Sequence, residues 1–200
     1  MKKSNVKVPP IIFRQGPRVY LRPVSREDLP QMQTWVNDPE VTYFLSQRYP
    51  MTSEGEVAWY EGLAARKNTD VVLAIVLRRN NKIIGTMGLH HIDHINGLAV
   101  TGSVIGEKSC WGKGYGTEAK MLLLDYAFNT LNLRKICSAV LGFNGRSKRC
   151  LEKCGYKVEA VREKHFYKNG AYVDEILLAV FKEDFLPLWK KFEKSSKKKA

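Results

Sequence analysis

The chain has 200 residues, 44% of them hydrophobic and 26% charged, and its 33 Lys and Arg against 20 Asp and Glu give a net charge of +13. That length suits one domain with one substantial core, and the composition excludes a disordered chain and a membrane-spanning one, since no apolar run approaches the roughly 18 residues that crossing a bilayer needs. Cys110, Cys137, Cys150 and Cys154 lack the CxxC and His spacing of a zinc site, so no metal is expected and the cysteines read as reduced thiols of a cytoplasmic protein.

In chain order, residues 1–17 hold three prolines and little pattern, and read as a loose arm. Lysines near the start are not followed by an apolar segment, which argues against a signal peptide. A single domain is expected over 18–186. Residues 18–24 read as a strand, and Ser25 with Asp28 opens a helix whose apolar residues include Leu29, Met32, Trp35 and Val36, ended by Asn37-Asp38-Pro39. A second helix starts near Thr52, with Thr52 or Ser53 as cap, and runs through Trp59, Tyr60 and Leu63. Three strands follow, 71–77, 82–90 and 98–105, joined by turns at Asn80-Asn81 and Asn96-Gly97, so the centre is an antiparallel meander.

The third of these strands leads into Trp111-Gly112-Lys113-Gly114-Tyr115-Gly116 and then a helix patterned by Ala119, Leu122, Leu123, Tyr126 and Ala127. Glycines punctuate ordinary turns, but between a strand and an amphipathic helix they let the backbone aim successive N–H groups at an anion, with the positive end of the helix dipole behind them. The spacing matches neither the dinucleotide fingerprint nor the nucleotide-triphosphate loop, so another phosphorylated ligand is implied. Further on come a strand at 135–141, a short helix at 146–153 closed by Gly155, a strand at 156–162, and a hairpin pairing 158–167 with 172–181. Residues 187–200 read as a lysine-rich tail, more often a solvated end than a nucleic-acid reader, with weak, salt-sensitive contact to RNA or ribosomes as the functional alternative.

The loop and the segments NDPEV (37–41), IIGTMGL (83–89), NGRSKRCLEKCGY (144–156) and FYKNGAYVDEILLAV (166–180) together resemble the GNAT N-acetyltransferases over residues 20–185. WGKGYGTEA is similar to the branch holding ribosomal-protein N-terminal and spermidine acetyltransferases, although Trp111 stands where the family has Gln or Arg. The resemblance implies an α/β (α+β) GNAT fold: a mixed, mostly antiparallel, twisted sheet of about seven strands with about four helices. It implies acetyl-CoA as co-substrate. Its pyrophosphate would lie on Trp111, Gly112, Lys113, Gly114, Tyr115, Gly116 and Thr117, and its pantetheine arm along the main chain of Val104, Ile105 and Gly106. Asn144 and Ser147 match the family's Asn-x-x-Ser beside the pantetheine, although Asn144 is also a natural helix cap.

Proton handling departs from the resemblance. Leu151 stands where many relatives have a Tyr that protonates the leaving thiolate, and Val100 where close relatives have a Glu that draws off the amine proton. The expected substitutes are Ser147 for the thiolate and a histidine of GLHHIDHING for the amine, with His91 and His94 taken as catalytic alongside Ser147. Strand alternation puts His90 and His94 on one face and His91 with Asp93 on the other; surface histidines of a hairpin are the plain alternative. Glu163 or Tyr167 is expected to face the acceptor. The function expected is acetyl transfer to a primary amine, of a protein N-terminus, a polyamine or another small amine, in a ternary complex. The alternatives are another acyl donor, a coenzyme-binding regulator, or an RNA-associated module. Asp38, Glu40, Glu54 and Glu56 can serve a cationic acceptor or merely the helix dipole. No membrane partner is expected, and a homodimer is admitted without being indicated.

Overall fold

The structure, a computed structural model, describes residues 10–197. One eight-stranded sheet runs in the order β1-β2-β3-β4-β5-β6-β8-β7. β1 (Arg14–Gln15), β2 (Val19–Pro23), β3 (Val71–Leu77), β4 (Ile83–Asp93) and β5 (Leu98–Ile105) pair antiparallel in sequence order. β5 then pairs parallel with β6 (Lys135–Leu141), and the hairpin β7 (Lys157–Lys168) and β8 (Ala171–Phe181) completes the sheet through β8. The mixed, mostly antiparallel sheet is the one expected. Its additional strand is the two-residue β1, which makes the end of the predicted loose arm a sheet edge; residues 1–9 of that arm lie outside the described residues.

β3 shows how the sequence builds the two layers. Its residues VVLAIVL alternate, so that Leu73, Ile75 and Leu77 enter one core while Val72, Ala74 and Val76 enter the other, as a strand covered on both faces must. On the first face lie α4 (Tyr115–Asp125), which continues through a π-helical turn at Tyr126–Thr130, α5 (Gly145–Lys153) and α6 (Lys182–Lys197). On the second lie α1 (Leu29–Asn37), the short α2 (Pro39–Thr42) and α3 (Ser53–Ala65), through Met32, Trp35, Val41 and Trp59. Each large apolar side chain buried this way contributes about 1.5–3 kcal/mol before entropy is counted.

α6 replaces the solvated tail read from composition. Phe185 is fully buried, and Leu188, Trp189 and Phe192 pack on the same core at helical spacing, with Phe185 against Phe128 at 5.2 Å between ring centroids. Lys190, Lys191 and Lys194 occupy the exposed side. Composition registered the lysines, but the period of the four apolar residues decides the structure.

α4 is tied to the sheet by Glu118, 4% exposed, whose carboxylate accepts from the backbone N–H of Arg18 (2.7 Å) and Val19 (3.0 Å) and from Arg18 Nε (2.8 Å). Arg18 also donates to the Lys113 carbonyl at 2.9 Å. The glycine loop and the helix behind it are thereby held against the start of β2.

Candidate active site

β5 and β6 are bonded only over Leu98↔Lys135, Ala99↔Ile136 and Val100↔Cys137. Beyond Val100 they splay, which leaves the backbone edges of Gly102–Ile105 and of Ala139–Leu141 without each other. The apex is pinned by Ser138 Oγ donating to the Thr101 carbonyl (3.2 Å) and by the buried hydroxyl pair Thr101–Tyr156 (3.0 Å). A cleft of about 870 Å³ fills the splay and runs on to both sides of it.

At one end of the cleft lies the glycine loop. Gly112 and Gly114 take φ of 72° and 80°, a left-handed backbone that costs other L-residues about 1–2 kcal/mol. Gly114 precedes the first helical residue and brings no side-chain cap, so the first amides of α4 keep no intrahelical partner. Gly112, Gly114, Gly116 and Thr117 line the cleft. Arg146, Arg149 and Lys153 of α5 line it opposite, which makes this end cationic as well as rich in free N–H groups.

Trp111 works as a strut. Its indole N–H donates to the Ile105 carbonyl at 2.6 Å, folding the loop back onto β5, and the Arg146 guanidinium lies 4.0 Å over its ring and 4.7 Å over that of Phe44. Burial lowers the Arg146 pKa, while the two rings hold the cation in place. The Ile105 carbonyl expected to meet a pantetheine arm is therefore taken by Trp111. Gly106 does not line the cleft; a Cβ there would overlap the Trp35 ring, so this glycine serves packing. Lys113 and Tyr115 are not among the lining residues either, Tyr115 lying under the Arg18 guanidinium at 4.8 Å. Val104 and Ile105 line the splay. Asn144 caps α5, its Oδ1 accepting from Ser147 N–H at 3.1 Å, and both line the cleft.

The other end is apolar, walled by Met32, Phe44, Trp59 and Phe166, with three titratable side chains. His90 is the first. The expected alternation fails here because β4 bulges between His90 and Asp93, with His91 at φ 51°. The bulge turns His91 outward, and His94 sits exposed in the turn; neither lines the cleft, which corrects their assignment as catalytic. His90 does line it. It pairs with Val100, the last residue before the splay, and its ring leans over Gly88 and Gly102, where an added Cβ would stand 3.0 Å and 3.4 Å from Nε2. Nδ1 lies 3.6 Å from Asp70, whose carboxylate is itself fixed by the His91 N–H (3.1 Å) and Arg66 (3.4 Å). Burial lowers the His90 pKa more than Asp70 raises it, so the ring is neutral near pH 7.

Glu56 and Glu175 are the other two. Glu175 accepts from Arg162 at 2.8 Å and approaches His165. Glu56 is 4% exposed and has no hydrogen-bond or ion-pair partner among the described residues; burial alone raises its pKa. It was one of four acids that the sequence could not separate. Glu54 is exposed, while Asp38 and Glu40 both bind Lys108 (2.8 and 3.1 Å). Glu163 and Tyr167, expected at the acceptor, lie off the cleft, which Phe166 and Glu175 line instead. Lys168 straps the hairpin to the α2 segment by donating to the carbonyls of Thr42 (2.8 Å) and Leu45 (2.7 Å). No three His, Cys, Asp or Glu side chains among the described residues converge as a metal site. Among the described residues no helix is long and apolar enough to cross a membrane.

The amide-rich glycine loop ahead of α4, on a mixed, mostly antiparallel sheet, is what the resemblance implied, and the model of the acetyltransferase (GNAT) domain family matches residues 18–157. The chain belongs to the GNAT acetyltransferase family. It is an N-acetyltransferase, and GNAT enzymes use acetyl-CoA. Among GNAT relatives, it is 29% identical to the uncharacterised N-acetyltransferase p20 of Bacillus licheniformis, over 84% of this chain and 95% of that protein. It is 27% identical to the spermidine N(1)-acetyltransferase of Escherichia coli, over 84% of this chain and 88% of that one. The GNAT fold is shared with the crystal structure of the Vibrio cholerae spermidine N-acetyltransferase in complex with CoA and spermine. That match has a TM-score of 0.78 at 23% identity, over 84% of this chain and 98% of the other.

Proposed function

We propose that the protein moves the acetyl group of acetyl-CoA to a primary amine of a small acceptor, both bound together in the cleft, and that the acceptor carries a second cationic nitrogen beyond an apolar spacer. The observation that carries this reading is the continuity of the cleft from the glycine loop, through the splay, to the pocket of His90 and Glu56. The coenzyme supplies the activated thioester. On this reading the amides of Gly112 to Thr117 hold its pyrophosphate, with Lys113 and Tyr115 contributing main chain only, and Arg146, Arg149 and Lys153 neutralise its phosphates. Its pantetheine arm lies on the free backbone edges of β5 and β6.

His90 takes the amine proton at Nε2. It occupies, one strand over, the place that Val100 cannot serve, and its depressed pKa keeps the base form populated. Asp70 sets the ring and stabilises the imidazolium that forms. Ser147, on the first turn of α5, donates its hydroxyl proton toward the departing thiolate. Trp59, Met32 and Phe166 bury the spacer, and Glu56 meets the second nitrogen; because Glu175 is already satisfied by Arg162, one charge and not several is matched. The polyamine named for the Escherichia and Vibrio relatives falls in this chemical class.

Following thiol release from acetyl-CoA tests the acceptor class. Short diamines should exceed alkyl monoamines of equal length by about tenfold or more in kcat/KM, the value of one charge-assisted contact. Equal rates for the two, or a preference for Ala- or Ser-starting peptides, would overturn the second-nitrogen reading.

A further inference from the structure

Cys150, Cys154 and Lys120 take no part in the mechanism above, yet the two cysteines meet Thr117 of the glycine loop and Lys120 lies within electrostatic reach of both. Thr117 donates its hydroxyl to Cys150 Sγ at 3.4 Å, and Cys154 Sγ lies 3.7 Å from the Thr117 carbonyl oxygen. Lys120, one turn along α4, is 1% exposed, and no carboxylate lies within ion-pair distance of it among the described residues. A buried ammonium without a counter-charge is costly, so its pKa falls to about 8 by burial, and the anion at hand is a thiolate. The two thiols shift in opposite directions. Cys154, buried and beside Cys150, is pushed up, whereas its thiol proton, the Thr117 hydroxyl and the Lys120 ammonium hold Cys150 below the usual thiol range. Cys150 is also the one of the pair that lines the cleft, beside Gly116, where an added Cβ would stand 3.9 Å from its sulfur.

We infer that Cys150 is a thiol-modification site built into the floor of the coenzyme's phosphate seat, reactive toward small-molecule disulfides, and that its modification and coenzyme binding exclude one another. The thiolate attacks one sulfur of the disulfide, a new S–S bond forms to Cys150, the original S–S bond breaks, and the second half leaves as thiolate. No other oxidant is involved, and excess thiol reverses the exchange. The adduct stands in front of Gly116 and Thr117, where the pyrophosphate is read to bind, so the exclusion rests on the proposed coenzyme site while the thiol's reactivity does not. Cys137 supplies the internal contrast, because burial raises its pKa.

The full chain, treated with oxidised glutathione and followed by intact and peptide mass, tests this. Cys150 should be labelled at least about tenfold faster than Cys137 at pH 7, with Lys120→Met moving the midpoint of its pH–rate profile upward by about one unit. Saturating coenzyme A should slow labelling about tenfold, and labelled protein should recover its coenzyme affinity when dithiothreitol is added. Labelling of Cys150 no faster than Cys137 overturns the site. Fast labelling that coenzyme A leaves unchanged overturns the exclusion. An absence of amine-dependent thiol release with labelling intact strikes the enzymatic reading and leaves this site standing.

Discussion

Glu56 and Glu54 sit two residues apart in the first turn of α3, equivalent as dipole partners, and only the cleft separates them: Glu54 is solvated, while Glu56 is enclosed by the apolar end of the cleft. An unpaired buried carboxylate destabilises the fold that holds it. Because burial raises its pKa, the folded protein binds that proton more tightly than the unfolded chain does. The site therefore costs least below the unfolded value, and the cost appears as pH rises through the folded one. Glu56→Gln should raise Tm near pH 8, with the advantage over the parent vanishing toward pH 4, and should raise KM for a diamine about tenfold with little change in kcat. Thermal scans at the two pH values and steady-state kinetics check both halves. Unchanged KM would return Glu56 to a helix-dipole role. The same contrast explains what was legible. Burial is set by α1, α3 and β3 meeting in space, and nothing local to SEGE encodes it. His90 was hidden for a different reason: strand alternation is a local rule, and one bulged residue with positive φ reverses it for everything after.

The elements themselves were far more legible. β3, β5 and β6 follow their runs of aliphatic and β-branched residues to the residue, Thr52 caps α3 by accepting from Gly55 N–H at 3.0 Å, and Asn144 caps α5. The glycine loop was legible in outline, since the glycines and the amphipathic helix behind them announce an anion seat. What its sequence could not tell is how each residue meets the seat: Trp111 lines the cleft as a strut, Lys113 gives its carbonyl to Arg18, and Tyr115 packs under that guanidinium. The left-handed conformation at Gly114 makes a direct test of the element. Gly114→Ala should cost about 1–2 kcal/mol of stability and should raise KM for acetyl-CoA more than KM for the amine, measured by thiol release with each substrate varied. Equal effects on the two KM values would mean that the loop acts on the whole fold and not on the coenzyme end.

At the scale of the molecule, the site exists because the sheet is one continuous layer with a single parallel step. The β5–β6 pairing stops at Val100↔Cys137, and helices on opposite faces furnish the two ends of the resulting cleft: α4 and α5 the cationic, amide-rich end, and α1 and α3 the apolar end. α6 braces the first layer through Phe185, a long-range packing role that its lysine-rich composition concealed. The one parallel step follows from a long crossover, residues 106–134, which carries the glycine loop to the open end of β5. His90 stands where the two ends meet, so the proton transfer proposed for it would link them. The most direct measurement is kcat/KM for the amine against pH, in the parent and in His90→Ala. The account predicts a slope of about two in log kcat/KM below the His90 pKa, which lies under the ordinary 6.5, and of about one above it, where only the amine still titrates. In His90→Ala the slope should be about one throughout and the rate lower by about 10²-fold or more. A variant that keeps the parental rate and the parental break in slope would contradict it.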